Sequence, residues 1–85
     1  MNKVSKTLAA MRNNPKNIRF EDLKLVCSQY FGKPRHDNGS HVIFKTPWPG
    51  DPRVNIQDNN GKAVPYQVGQ VLTAIDKLEK LEGEE

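Results

Sequence analysis

The sequence predicts a small α+β domain: a three-stranded antiparallel sheet with helices packed on one face, in the order α-α-β-β-β-α. Three observations carry this. Apolar residues recur at helical spacing near both ends of the chain. Between residues 41 and 57 they switch to period two. An Asn-Gly pair at Asn38-Gly39 precedes the switch, the strongest short-range signal for a hairpin, because both residues accept the positive φ of a type I′ turn. Three hairpin-linked strands have one face to bury, and flanking helices supply the cover.

Residues 3–12 read as a first helix, with Val4, Leu8 and Met11 on one face, stopped by Asn13-Asn14-Pro15. Residues 20–31 read as a second. Phe20, Leu23, Val26, Cys27, Tyr30 and Phe31 give it a broad apolar stripe. Glu21 and Asp22 suit the positive end of its dipole, and Gly32 with Pro34 closes it. Residues 33–37 form a short strand or extended segment, and the strand at 41–46 follows the turn. Pro47-Trp48-Pro49-Gly50-Asp51-Pro52 is a stiff loop, since its prolines exclude regular structure. Residues 53–57 alternate polar and apolar as a third strand, and 58–61 form a second turn. Pro65 opens the last helix, whose stripe is Val68, Val71, Leu72, Ile75 and Leu78. Gly69 costs that helix about 1 kcal/mol against alanine, which suggests close packing there. Residues 82–85 read as a frayed tail.

The length of 85 residues allows one domain, spanning 1–85. A chain of this size hides only about 60–65% of its unfolded surface. Its hydrophobic content of 35% is low for an independent core, so a partner covering apolar surface would help. There is no apolar run long enough to span a membrane, and residues 1–6 lack the apolar stretch of a signal peptide. One cysteine cannot form an internal disulfide, so the expected compartment is the reducing cytoplasm, with Cys27 as a core filler. No glycine-rich phosphate cradle and no ligand cluster with metal spacing stands out, so neither metal nor cofactor is expected.

The formal net charge is +3, unevenly placed. Residues 1–75 carry 11 bases against five acids, a net of +6, and the acidic residues concentrate after Ile75. A basic body suits a polyanion such as RNA. His41 begins the second strand, next to the turn, and supplies an acid/base group that works near neutral pH. Period two puts His41, Ile43 and Lys45 on one face and Val42 and Phe44 on the other. Lys45 is then a candidate phosphate contact, though strand-edge lysines also guard against aggregation. Lys33, Arg35 and Arg53 flank the same strands as a candidate grip on an RNA backbone, and Ser40 can bond a phosphate or the turn itself. His36, before the turn, is the rival histidine, and Trp48 can stack on a base or pack on a protein.

Phe20-Glu21-Asp22-Leu23 opening a helix, Gly39-Ser40-His41 entering a strand, Phe44 within that strand and Val71-Leu72-Ile75 in the closing helix resemble the HicA-type toxins. These are the messenger-RNA interferases of bacterial HicA/HicB toxin–antitoxin pairs. The likeness covers roughly residues 17–78 and leaves 1–16 as an additional N-terminal helix and linker. It implies a fold similar to double-stranded-RNA-binding domains. It further implies metal-independent endoribonuclease activity on messenger RNA with His41 as the essential residue, and a HicB-type antitoxin as protein partner. A noncatalytic RNA-binding module and a small protein-interaction adaptor are the alternatives, and His41 separates them, because only the nuclease needs its protonation chemistry.

Overall fold

A computed structural model describes residues 3–46 and 53–83, with the side chains of 81–83 left aside. The apolar periodicity resolves into three helices and a four-stranded antiparallel sheet. Helix α1 spans Lys3–Asn13, α2 Phe20–Phe31 and α3 Pro65–Gly83; the strands are β1 His36–Asp37, β2 His41–Lys45, β3 Arg53–Asn59 and β4 Lys62–Ala63, in spatial order β1-β2-β3-β4. The coarse α+β architecture is as expected, and the sheet has one strand more than the three expected.

The extra strand comes from the second turn. Asn59 pairs with Lys62, and between them Asn60 and Gly61 take φ of 54° and 86°. Positive φ at both central residues is the type I′ pattern. The Gly61 amide donates to Asp58 Oδ1 (2.6 Å), which locks the turn and lets the chain fold back as β4. The Ala63 amide donates to the Ile18 carbonyl (2.8 Å), and Arg19 bridges to Lys62, so β4 is fastened to the segment entering α2.

The first Asn-Gly works differently. Among the described non-glycine residues only Asn60 has positive φ, so Asn38 does not, and the type I′ expectation fails here. The two-residue loop is Gly39-Ser40, with the positive φ on Gly39 (95°), the type II′ pattern. Side chains cause the shift. Asp37 Oδ1 accepts from the Gly39 amide (2.9 Å) and Asn38 Oδ1 accepts from the His41 amide (2.9 Å), fixing both residues ahead of the glycine.

The core lies between the sheet and α2 and α3. Val42, Phe44 and Ile56 are fully out of water, against Leu23, Val26 and Cys27 of α2 and Val68, Val71 and Ile75 of α3. Phe31 sits tilted on Phe44, ring centroids 6.4 Å apart. Helix α1 packs on α2 and α3, burying Met11 and Thr7, with ion pairs Lys3–Asp22 (3.2 Å) and Arg12–Asp76 (2.7 Å) tying it to each. Cys27 is buried as expected, and burial alone pushes its thiol up to about 12.

Gly69 corrects an expectation. A Cβ added there meets no heavy atom within 4 Å, so close packing is not why a glycine stands in α3. Of the residues expected to fray, Glu82 and Gly83 are helical, and 84–85 lie outside the described residues, as does the proline loop with Trp48. No described helix is long and apolar enough to cross a membrane.

Candidate functional site

The β2–β3 register decides which side chains share a face. Val42 opposes Ile56 and Phe44 opposes Val54 on the helix-covered side. His41 opposes Gln57, Ile43 opposes Asn55 and Lys45 opposes Arg53 on the other. His36 of β1 opposes Ile43 and joins that second face. Between His36 and Gln57 the open face therefore carries two imidazoles, two carboxamides, two cations and one isoleucine. His41 and Ile43 are half-buried; the rest are exposed.

Among the described residues no carboxylate belongs to this face, and the two acids of the described strands show why. Asp37 opposes Val42, on the helix side of the edge strand, where Lys24 of α2 reaches it at 2.8 Å. That ion pair, helped by the Gly39 amide, holds the Asp37 carboxyl below the usual range. Asp58 is spent on the Gly61 turn. Both acids serve local structure, and the charged side chains of the open face, among the described residues, are cationic.

His41 is held from two directions. Its amide is capped by Asn38, and its carbonyl accepts from the Asn38 amide (3.3 Å), so the imidazole leaves the backbone at a fixed corner of the sheet. Across the ladder Gln57 is itself pinned by α3: its amide donates to Gln67 Oε1 (2.8 Å) and its side-chain oxygen accepts from Gln67 Nε2 (3.3 Å).

Lys45 and Arg53 meet side by side at the far end of the same face. Like charges directly opposed cost an isolated sheet stability unless other groups compensate them. Four residues of strand separate Lys45 from His41, about 13 Å. The cation pair therefore stands well apart from His41 on the same face.

Other expected residues fall elsewhere. Ser40 lies in the turn, where its carbonyl accepts from the Asp58 amide (2.8 Å). Lys33 is exposed between α2 and β1, off the sheet. Arg35 donates its amide to the Ile43 carbonyl (2.7 Å), and one residue before His36 its parity is that of Asp37, so it does not join the face of His41. His36 stands diagonal to His41 rather than opposite it. Among the described residues no three of His, Cys, Asp and Glu stand together in a way that could hold a metal ion.

Sequence reasoning passed over Asn38 as a cap for His41, and Asn55 and Gln57 as members of the face. The alternation at 53–57 grouped 53, 55 and 57 together; only the register shows which β2 residue each one meets. No family model, curated protein or solved structure matches the chain.

Proposed function

We propose that this chain is a HicA-type toxin: a metal-independent endoribonuclease acting on messenger RNA, with a fold of the double-stranded-RNA-binding class and a HicB-type antitoxin as its inhibitor. One observation carries the reading. His41 is a half-buried, backbone-anchored imidazole on a sheet face whose charged side chains, among the described residues, are cationic. Such a face attracts a polyanion and supplies an acid/base group to it.

RNA carries its own nucleophile. In the proposed reaction the 2′-oxygen attacks the adjacent phosphorus as a base removes its proton. The 5′-oxygen then leaves with a proton from an acid, giving a 2′,3′-cyclic phosphate and a 5′-hydroxyl. His41 takes one of these proton transfers, a role worth about 10²–10⁴-fold in rate. His36 is diagonal to it, about 7–8 Å away between backbones, so two imidazoles can flank one phosphate. Lys45 and Arg53 hold the RNA further along. Because the 2′-hydroxyl is the nucleophile, cleavage proceeds in EDTA.

The test is induction of the chain alone in a bacterial host, against His41→Ala. The expected result is growth arrest and loss of messenger RNA with the native chain, neither with the variant, and rescue by a co-expressed HicB-type protein. Equal toxicity of a folded His41→Ala protein removes the catalytic role. Messenger-RNA binding without cleavage by the native chain assigns it instead as a noncatalytic RNA-binding module.

A further inference from the structure

Helix α2 begins without a side-chain cap. Its N-cap is Arg19, whose side chain bonds none of the first-turn amides. The Phe20 amide donates to the Gly61 carbonyl (3.0 Å) and the Leu23 amide to the Arg19 carbonyl (3.0 Å). Between them, the Glu21 and Asp22 amides have no acceptor among the described residues. Unbonded first-turn amides carry the positive end of the helix dipole.

Arg19 and Asp22, on either side of these amides in the chain, line a groove of about 680 Å³ between α1 and the segment entering α2. Its size is that of a small-molecule site. Lys3, Lys6 and Thr7 line it from α1. Thr7 is the residue that points to a ligand. It comes from a different helix, is 7% exposed, and its hydroxyl has no hydrogen-bond partner among the described residues. A helical threonine can return its hydroxyl to the carbonyl four residues back, as Thr73 does to Gly69 (3.1 Å). Thr7 makes no such bond. Among the described residues no fully sealed side-chain oxygen lacks a partner, so the Thr7 oxygen opens onto the groove that the residue lines. A polar group this far from water ordinarily has a partner.

The charge around it is positive. Lys3 pairs with Asp22 (3.2 Å), while Lys6 and Arg19 make no ion pair among the described residues. Among the described residues the lining holds three cations and one carboxylate. Residues 1 and 2, next to Lys3 in the chain and outside the described residues, are Met and Asn. The bond from Phe20 to Gly61 sets the start of α2 at the β3–β4 turn, the end of β3 remote from Arg53.

We propose that this groove binds the phosphate group of a small phosphomonoester. The Glu21 and Asp22 amides and the Thr7 hydroxyl donate to its oxygens, and Lys6 and Arg19 balance its charge. The lining's surplus of two positive charges matches a phosphate dianion. The rest of the groove takes the group that carries the phosphate. Asp22 opposes the ligand, and its pairing with Lys3 keeps that opposition small. This site does not depend on the nuclease reading.

The test titrates the isotope-labelled chain with inorganic phosphate, the ionic strength held constant with chloride, and then with adenosine 5′-monophosphate and with adenosine. Phosphate and the monophosphate should shift the amides of Glu21 and Asp22; chloride and adenosine should not. Thr7→Val keeps the branched shape and removes the hydroxyl. It should weaken phosphate binding about tenfold and leave the melting temperature equal or higher, because in the free chain that hydroxyl bonds no other group. Lys6→Met and Arg19→Met, both at exposed positions, should weaken binding with the fold unchanged. Asp22→Asn should strengthen it. The proposal is overturned by no phosphate-specific shift at Glu21 and Asp22 at millimolar phosphate, by unchanged binding to folded Thr7→Val, or by equal shifts from adenosine. It is equally overturned if an oligonucleotide with internal phosphodiesters alone binds there as tightly as the monophosphate, which would give the groove to an RNA backbone.

Discussion

On the helix side of the sheet, Val42, Phe44, Val54 and Ile56 are almost wholly out of water; on the other side, His41, Lys45, Arg53, Asn55 and Gln57 come from the same two strands and look outward. A slip of one residue in either strand would exchange the two sets. The apolar side chains therefore do more than hold the helices. They fix the register that leaves His41 half-buried on the open face and sets Lys45 beside Arg53. The covered side can be altered only at the expense of the fold. The open side, exposed or half-buried, can be altered at far less cost to the fold.

The largest effect should come from the covered side. Phe44→Ala removes the buried ring that meets Phe31 and should cost about 3–5 kcal/mol. For a chain of this size that is most of the available stability. Denaturant melts should show the transition lost or moved to very low denaturant. A cost near that of a surface substitution would mean that the core is not where the structure puts it.

Alkaline pH probes the same side more gently. Cys27 is buried among the α2 core residues, and its native pKa is raised to about 12. The unfolded thiol ionises near pH 8.5. The native state thus resists losing a proton that the unfolded state gives up, so stability should be level below about pH 8.5 and fall as pH rises beyond it. Cys27→Ala should lower stability overall but flatten this fall. A wild-type profile as flat as the variant's would show the thiol in contact with water.

Lys45→Glu should separate the two sides most sharply with the smallest energy. It turns the like-charged pair with Arg53 into an opposed one and should raise stability by about 0.2–1 kcal/mol. The same change should weaken RNA binding and make the slope of log affinity against log salt shallower by about 0.7 for the lost contact. Weaker binding together with a slightly higher melting temperature is the expected signature; unchanged RNA binding would place the nucleic acid elsewhere.

What the sequence disclosed follows the same division. Helix α2 is legible to the residue, because its stripe, its acidic first turn and Gly32 agree. The face assignments in β2 are legible from period two alone. β4 is not, since two residues show no period and only the φ pair at Asn60 and Gly61 creates it. The turn type at Asn38 was set by side-chain bonds from Asp37 and Asn38 that the dipeptide does not encode. Gly69 read as packed because a glycine in a helix needs a reason, yet it lines a groove that only tertiary structure makes. Of the candidate site, His41, Lys45 and Arg53 share one face, whereas Arg35 and Lys33 fall away because register and strand ends are non-local.

In the proposed function His41 acts chemically on RNA from a face that does not hold the fold together. The direct measurement is cleavage of a purified messenger RNA in EDTA by the native chain and by His41→Ala, with product ends identified and both melting temperatures recorded. The account predicts 2′,3′-cyclic phosphate ends from the native chain, a rate about 10²–10⁴-fold lower for the variant, and closely similar melting temperatures. Undiminished cleavage by a folded His41→Ala protein, or native cleavage that requires a metal and leaves 3′-hydroxyl ends, would contradict it.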